Sequence, residues 1–419
     1  MEEPPFFLPD GLRFHCLRCG DCCRGWTVLV DDATQDALAR VDWAKHSPEL
    51  SGKKLFEKKK HAGGLPWVVA QLPDGSCVFL KEGECLIHNV LGYASKDLTC
   101  RQYPAKFSKT PAGVYVGFSF ACASVRRNEG ESVADSEADY RRLYAEASRR
   151  LPTKPSRIML DKVAAFDWGA YQAFESALSA MLGSPEKSMP EILCACNSFT
   201  ASLKAAFPGT ATLSEEGVKS FVGEEGASRF YAPVPSSRHF PKRQRVVLAF
   251  SVMSHREKNS LIKTLVNPFV SYMRIVSGKG RVNVTGVGEV NIEELGAVSC
   301  DLEESRAREL ITRYFSHFLF RKSLLAPPSV ADNLKLLVIG YALIRFYALC
   351  LARSRGSLKA DYEDVYKAVG CVDRYFLLHA TQSKTLLSDK RTEFLLRTFL
   401  DDPEFVPTML CEKPFTPPA

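Results

Sequence analysis

Thiols dominate the chemistry available to this chain. Eight of its 14 cysteines fall within the first 122 residues: Cys16, Cys19, Cys22, Cys23, Cys77, Cys85, Cys100 and Cys122. The densest run is Cys16-Leu17-Arg18-Cys19-Gly20-Asp21-Cys22-Cys23. A C-x2-C step turns two sulfurs toward one point, and Gly20 lets the backbone bend tightly around a bound centre. Cys23 follows Cys22 directly, and neighbouring side chains tend to diverge, so the two serve different metals or only one of them binds. A second set comprises Cys77, Cys85, Cys100 and Cys122. The C-x7-C spacing from Cys77 to Cys85, around Lys81–Glu84, suits a hairpin that brings both thiols to one end. His88, three residues beyond Cys85, offers an imidazole, whereas alternation aims His15 away from the run. Eight thiols and one imidazole fill two four-ligand sites, or one cluster with thiols to spare. Thiolate ligation suits iron–sulfur or zinc and argues against magnesium or calcium.

The C-x2-C-x2-C step is the spacing with which a ferredoxin-type run holds three irons of a cube, the fourth ligand coming from elsewhere. A [4Fe–4S] cluster on Cys16, Cys19, Cys22 and one member of the second set is therefore the expected cofactor, with zinc or iron alone as the other candidates. The competing explanation for any single cysteine is a small buried hydrophobe. It prevails for Cys194, Cys196, Cys300, Cys350, Cys371 and Cys411, which are scattered. Cys194 and Cys196 point to different faces of one expected helix.

The elements that must position these thiols change character along the chain. Over residues 1–130 turn signals recur at Pro9-Asp10-Gly11, Gly63-Gly64, Pro73-Asp74-Gly75 and Pro111-Ala112-Gly113. Short runs between them read as strands: Thr27–Val30, Trp67–Leu72 and Val114–Phe118. Asp31-Asp32 before Ala33–Val41 reads as a capped helix. Over residues 131–419 apolar residues recur with helical period, giving helices near 134–151, 157–183, 190–206, 244–256, 259–277, 301–325, 330–354, 361–383 and 389–400. A loop-rich stretch near 207–243 interrupts them, and 280–292 reads as one hairpin. The expected fold class is α+β, a small cysteine-rich metal-binding module followed by a larger, mostly α-helical region.

Composition narrows the class of protein. The chain has 419 residues, 46% hydrophobic and 25% charged, an ordinary globular balance. A formal charge of +7 on this length is too mild to signal nucleic acid. The start, MEEPPFFLPDGLRFHC, carries an acidic pair and no long apolar run, so no secretory signal is expected. Leu336–Ile344 is a short apolar run bracketed by Lys335 and Arg345, which predicts a buried helix rather than a membrane span. A cytoplasmic protein without a membrane partner is expected, in a reducing compartment where clustered thiols bind metal rather than pair.

The order of the pieces is also distinctive. Phe14 to Trp26 with its four cysteines, then Cys77-Val78-Phe79-Leu80, Cys85-Leu86-Ile87-His88, Cys100-Arg101-Gln102-Tyr103-Pro104 and Ser119-Phe120-Ala121-Cys122, resembles the CxxCxxCC (YkgJ-type) zinc- or iron-chelating family. That resemblance implies a bound metal. The same domain occurs in bacterial flagellin lysine-N-methylases. Leu91-Gly92-Tyr93 with Leu98–Pro104 is similar to their central segment, and Ile311–Arg321 to an aromatic-rich helix of theirs. The resemblance thus implies, as the alternative, a lysine N-methyltransferase with flagellin as protein substrate and S-adenosylmethionine as donor. An iron–sulfur cluster with one open iron would bind that donor. The compact cysteine run stands nearer the generic chelating type, and no Gly-rich strand–turn–helix signature of a Rossmann methyltransferase occurs.

Ligand sites favour domain junctions, so any cleft is expected where the module meets the helical region. Arg101 and Tyr103 are the candidate cofactor-binding residues there, Arg101 offering a fixed cation to the acidic end of the donor. The competing expectation pairs Arg101 with a local carboxylate and packs Tyr103 in a core. Two basic stretches, Lys53–His61 and Arg238–Arg245, read as solvated surface, the first on a helix face. His317 and His379 on aromatic-rich helices read as core or surface histidines.

Overall fold

A computed structural model describes residues 4–25, 27–58, 65–148, 151, 157–209, 212–226, 228–231, 241–253, 261–377, 397–398, 400, 405–410 and 415, the side chains at 241–243, 250, 253 and 261–268 excepted. Trp26, residues 59–61 of the first basic stretch, residues 238–240 of the second, His379, Cys411 and most of the expected helix at 389–400 lie outside the described residues. The chain forms two compact units, Met1–Lys154 and Pro155–Ala419, and its class is α+β.

In the first unit the turn at Pro111-Ala112 closes a hairpin. Ala105–Thr110 pairs antiparallel with Gly113–Phe118, from Ala105 opposite Phe118 to Thr110 opposite Gly113, and Phe6–Phe7 adds a parallel strand. A second sheet sets Trp67–Val69 between Leu29–Val30 and Phe56–Lys58. The helix after Asp31 spans Asp32–Ala39, and the Asp31 carboxylate accepts the Thr34 N–H at 2.8 Å, satisfying one donor of the first turn. Val30, Leu38, Trp43, Phe56, Val69, Phe79 and Ile87 form the core between these elements, with the Trp43 and Phe79 rings 4.9 Å apart.

Two expectations about this unit need correction. Phe56–Lys58 is an edge strand, not a helix face: Phe56 points into the core while the Lys58 ammonium lies over the Trp67 ring. The helix Glu137–Ala147 belongs to this unit, so the unit ends at Lys154 rather than near 130. Its tyrosines hold it there, Tyr140 edge-on to Phe118 at 5.4 Å and Tyr144 edge-on to Phe107 at 5.5 Å and Phe6 at 5.3 Å.

The second unit is built around the helix Val330–Ser354, in which every residue from Leu336 to Ile344 is buried, as expected of a buried helix. By length and composition this helix is able to cross a membrane, and nearly all of its apolar window is buried inside the protein. Its charged residues have internal partners: Lys335 lies 3.6 Å from Asp332, and Arg345 donates to the Leu410 carbonyl at 2.8 Å. Helices Met189–Ala206, Leu261–Ser277, Ser305–Phe320 and Tyr362–Val372 follow the periodicity, and Arg281–Val284 with Gly288–Asn291 forms the expected hairpin.

Three stretches differ from expectation. Residues 157–183 open with strands Ile158–Met159 and Ala165–Phe166, joined by Thr212–Leu213, before the helix Trp168–Leu182 starts under its Asp167 cap. The stretch 207–243 also holds the helix Glu215–Val222, anchored by Phe221 against Phe199 and Phe230. In the second basic stretch Gln244 and Arg245 are buried on the helix Pro241–Met253, and the Gln244 amide donates to the Met409 carbonyl at 3.0 Å.

Candidate metal centre

The run from Cys16 ends in a single 3-10 turn, Asp21–Cys23. Gly20 precedes it in the left-handed conformation, φ 72°, and its carbonyl accepts the Cys23 N–H at 2.9 Å. Gly20 is buried, and a Cβ added to it would stand 3.2 Å from both the Gly83 carbonyl oxygen and Leu80 Cδ1. Glycine thus serves the bend and also a close approach to the hairpin Leu80–Lys81/Glu84–Cys85. That hairpin is the one expected from the C-x7-C spacing, with Glu82 and Gly83 at its tip, both at positive φ.

The turn brings the Cys22 and Cys23 sulfurs to 3.9 Å, where divergence was expected. Successive residues of a 3-10 turn are rotated by only about 120°, so adjacent side chains can meet, as they cannot on a strand. Backbone pairing ties this turn to the second cysteine set. The Cys23 carbonyl accepts the Cys77 N–H at 2.7 Å, and bridges Arg24–Ser76 and Gln71–Cys77 flank that bond. Cys85 stands at the start of helix Leu86–Leu91, and Cys100 lies inside helix Leu98–Gln102, which Asp97 caps through the Thr99 N–H at 2.7 Å. Cys122 precedes helix Ala123–Arg127.

All eight thiols are free and form one electrostatic neighbourhood. Cys19 senses Cys16 and Cys22, Cys77 senses Cys22 and Cys85, Cys100 senses Cys77 and Cys85, Cys122 senses Cys22, and Lys96 senses Cys23 along with Cys22. Burial pushes the Cys77 and Cys122 thiols up to about 11, and raises Cys100 well above the usual thiol value and Cys19 in the same direction. Cys22 is raised first by its hydrogen bond with Cys23 and then by burial; the residue is exposed on its loop, while its sulfur turns against its neighbour. Backbone N–H groups work the other way and favour the thiolate: Asp21 at Cys19, Phe79 at Cys77, Ser124 and Val125 at Cys122. Without a metal these raised thiols hold their protons at neutral pH, so metal binding expels them.

The donor set fits a thiophilic metal: free thiols, N–H groups directed at three of them, and a cation nearby. Among the described residues, however, no three Cys, His, Asp or Glu side chains close around one point as a bound ion requires. The fold sets the Cys22–Cys23 pair and leaves the other sulfurs at longer range.

His88 is exposed with its ring 6.0 Å from Tyr93, and His15 is drawn to the Glu129 carbonyl at 3.2 Å; neither ring joins the thiols. Arg101 forks onto Glu146 with bonds of 3.0 and 2.5 Å, and its Nε donates to the Lys96 carbonyl at 3.0 Å. Tyr103 is half-buried at the end of the Cys100 helix. Cys194, Cys300 and Cys371 are half-buried and Cys196 and Cys350 buried, consistent with roles as small hydrophobes. Two features escaped sequence reasoning. The N–H donors belong to backbone and leave no trace in residue types, and Lys96 announces itself only by standing four residues before Cys100.

No curated protein and no solved structure matches the chain. Residues 15–123, about a quarter of the 419 residues, match the family model CxxCxxCC, described as a putative zinc- or iron-chelating domain. The matched segment is the one that carries all eight clustered thiols, Cys16 to Cys122.

Proposed function

We propose that residues 15–123 hold a thiolate-ligated metal centre of zinc, iron or an iron–sulfur cluster. The carrying observation is the Cys22–Cys23 pair, 3.9 Å from sulfur to sulfur, in the midst of six further free thiols. Two thiolates on one tetrahedral ion with bonds of about 2.3 Å stand roughly 3.8 Å apart. The pair thus favours a centre in which one ion takes both sulfurs, as in a single zinc or iron site or a two-iron cluster. In a [4Fe–4S] cube each iron takes one cysteine, so Cys22 would bind and Cys23 stand outside.

The exposure of Cys16, Cys19 and Cys22 supports a second reading, because it leaves one side of the centre open to an incoming ligand. In that reading the chain is a lysine N-methylase of flagellin-like protein substrates, with S-adenosylmethionine bound at an open iron. Arg101, the expected donor contact, is committed to Glu146 and would have to be released to serve it.

Anaerobic purification of the full chain, followed by zinc, iron and acid-labile sulfide analysis and an absorption spectrum, tests the proposal. A colourless chain with stoichiometric zinc supports a single-ion site, and brown absorbance with labile sulfide identifies a cluster. A chain that arrives metal-free and takes up neither added zinc nor ferrous iron overturns the proposal. Methyl-lysine on flagellin only in the presence of S-adenosylmethionine and the loaded chain would support the second reading; its absence with a fully loaded chain overturns it.

A further inference from the structure

The helix Leu261–Ser277 of the second unit carries apolar side chains on its solvent side. Ser271 and Ile275 are buried, whereas Phe269 and Met273, one turn apart on the opposite face, are 65% and 47% exposed. With Val270, Arg274, Ser277 and Lys279 they line a shallow groove of about 390 Å³, within the range of sites for small ligands. Water held against that much carbon is unfavourable, and an apolar ligand would displace it.

Two cations stand at one end of the groove. The Arg274 stem lies along Gly280, where an added Cβ would meet its Cγ, Cδ and Nε at 3.4 Å, and its Nη1 donates to the Arg281 carbonyl at 2.7 Å. Gly278 and Gly280, left-handed at φ 73° and 83°, turn the chain on either side of Lys279. The Gly278 N–H donates to the Ile275 carbonyl at 3.2 Å and the Lys279 N–H to the Arg274 carbonyl at 3.0 Å, so two of the last carbonyls of the helix are capped and repel an anion less. Among the described residues neither Arg274 nor Lys279 has a carboxylate within ion-pair distance. On the adjoining hairpin Glu289 faces Arg281 instead, at 3.9 Å.

We propose that this groove binds a single-chain aliphatic carboxylate, its chain over Phe269, Val270 and Met273 and its carboxylate on Arg274 and Lys279. A guanidinium held by its neighbours, with N–H groups still to spend, suits a carboxylate oxygen pair. Cations confined to one end of a concave apolar floor fit an elongated molecule with one acidic end. A bilayer surface would instead call for a longer apolar helix face bordered by cations along its length. The groove lies wholly in the second unit and does not depend on the metal reading.

Calorimetric titration of the full chain with decanoate, with decyltrimethylammonium and with phosphatidylglycerol vesicles tests the proposal. Decanoate should saturate at one per chain, and the cation of equal chain length should bind about 10-fold more weakly or worse, because it forfeits charge-assisted hydrogen bonds. R274M and K279M should each weaken decanoate by about the same factor, and M273E should abolish its binding by placing a carboxylate on the apolar floor. All three positions are exposed, so the variants should melt with the parent. No saturable binding of decanoate overturns the proposal. Equal binding of decanoate and decyltrimethylammonium also overturns it, since apolar adhesion alone would then be responsible. Undiminished decanoate binding in R274M, K279M and M273E places the ligand elsewhere and overturns it as well. Binding of the vesicles without binding of decanoate overturns it in favour of a membrane surface.

Discussion

Gly20 and Gly11 share the left-handed conformation, φ 72° and 68°, but differ in what surrounds them. A Cβ at Gly11 would meet nothing within 4 Å, whereas one at Gly20 would crowd the Gly83 carbonyl and Leu80 Cδ1 at 3.2 Å. Gly11→Ala should therefore cost only the conformational preference, about 1–2 kcal/mol. Gly20→Ala should cost that and also push the cysteine run off the 80–85 hairpin, weakening metal binding as well as local stability. Hydrogen exchange over residues 11–25 with a parallel zinc titration separates the two, and equal behaviour of both variants would refute a packing role for Gly20. At this scale the sequence was legible where chemistry is local. Thiol spacing marks the ligand candidates, and the need for glycine in the bend follows from the run itself. The Cys22–Cys23 contact, the approach of Gly83 and the place of Lys96 depend on how segments distant in sequence are brought together, which no spacing records.

Elements with their own caps were the most legible. Asp31, Ser188 and Asp361 each accept a first-turn N–H, and the helices they begin start where the polar residue meets the apolar period. The sheet of Ile158–Met159, Ala165–Phe166 and Thr212–Leu213 was not, because strands of two residues show no alternation and exist only through pairing with one another. The start of the central helix Val330–Ser354 combines a cap with an ion cluster. Ser329 Oγ accepts the Asp332 N–H at 3.2 Å and donates back to its carboxylate at 2.6 Å, and Arg397 donates to both oxygens at 3.1 and 2.6 Å. Burial alone would raise the Asp332 carboxyl, but Arg397, Ser329 and Lys335 outweigh it and hold it below the usual range. A folded value below the unfolded one means stability that is present above about pH 4 and lost as pH falls through the depressed folded value. Asp332→Asn should thus destabilise the second unit by about 1.5–3 kcal/mol at neutral pH and flatten the acid limb of its stability curve. Unfolding followed from pH 7 to pH 3 would show it, and an unchanged acid limb would count against the cluster.

At the scale of the molecule the two units differ in what holds them together. The strands of Met1–Lys154 run two to six residues, its helices are short, and its cysteines sit in or beside short elements of two to six residues. Pro155–Ala419 has a 25-residue central helix and fully internal ion pairs, Arg321 with Asp373 at 3.3 Å and Lys322 with Glu175, the latter also bonded by Tyr171. The division into a cysteine-rich module and a helical region was legible from periodicity, but its boundary was not, because the helix Glu137–Ala147 has helical period and is nevertheless held by aromatics of the first unit. A small unit of short elements has little apolar area to offset chain entropy, so metal binding should supply much of its folding free energy. Replacing Cys16 and Cys19 together by Ser should therefore remove the metal and lower amide protection throughout Met1–Lys154 while leaving Pro155–Ala419 as protected as before. Chelation of the parent chain should reproduce the same map, since it removes the metal without altering a side chain. If the double variant loses its metal and both units keep their protection, the centre contributes nothing to folding, and its exposed thiols would have to be explained by chemistry alone.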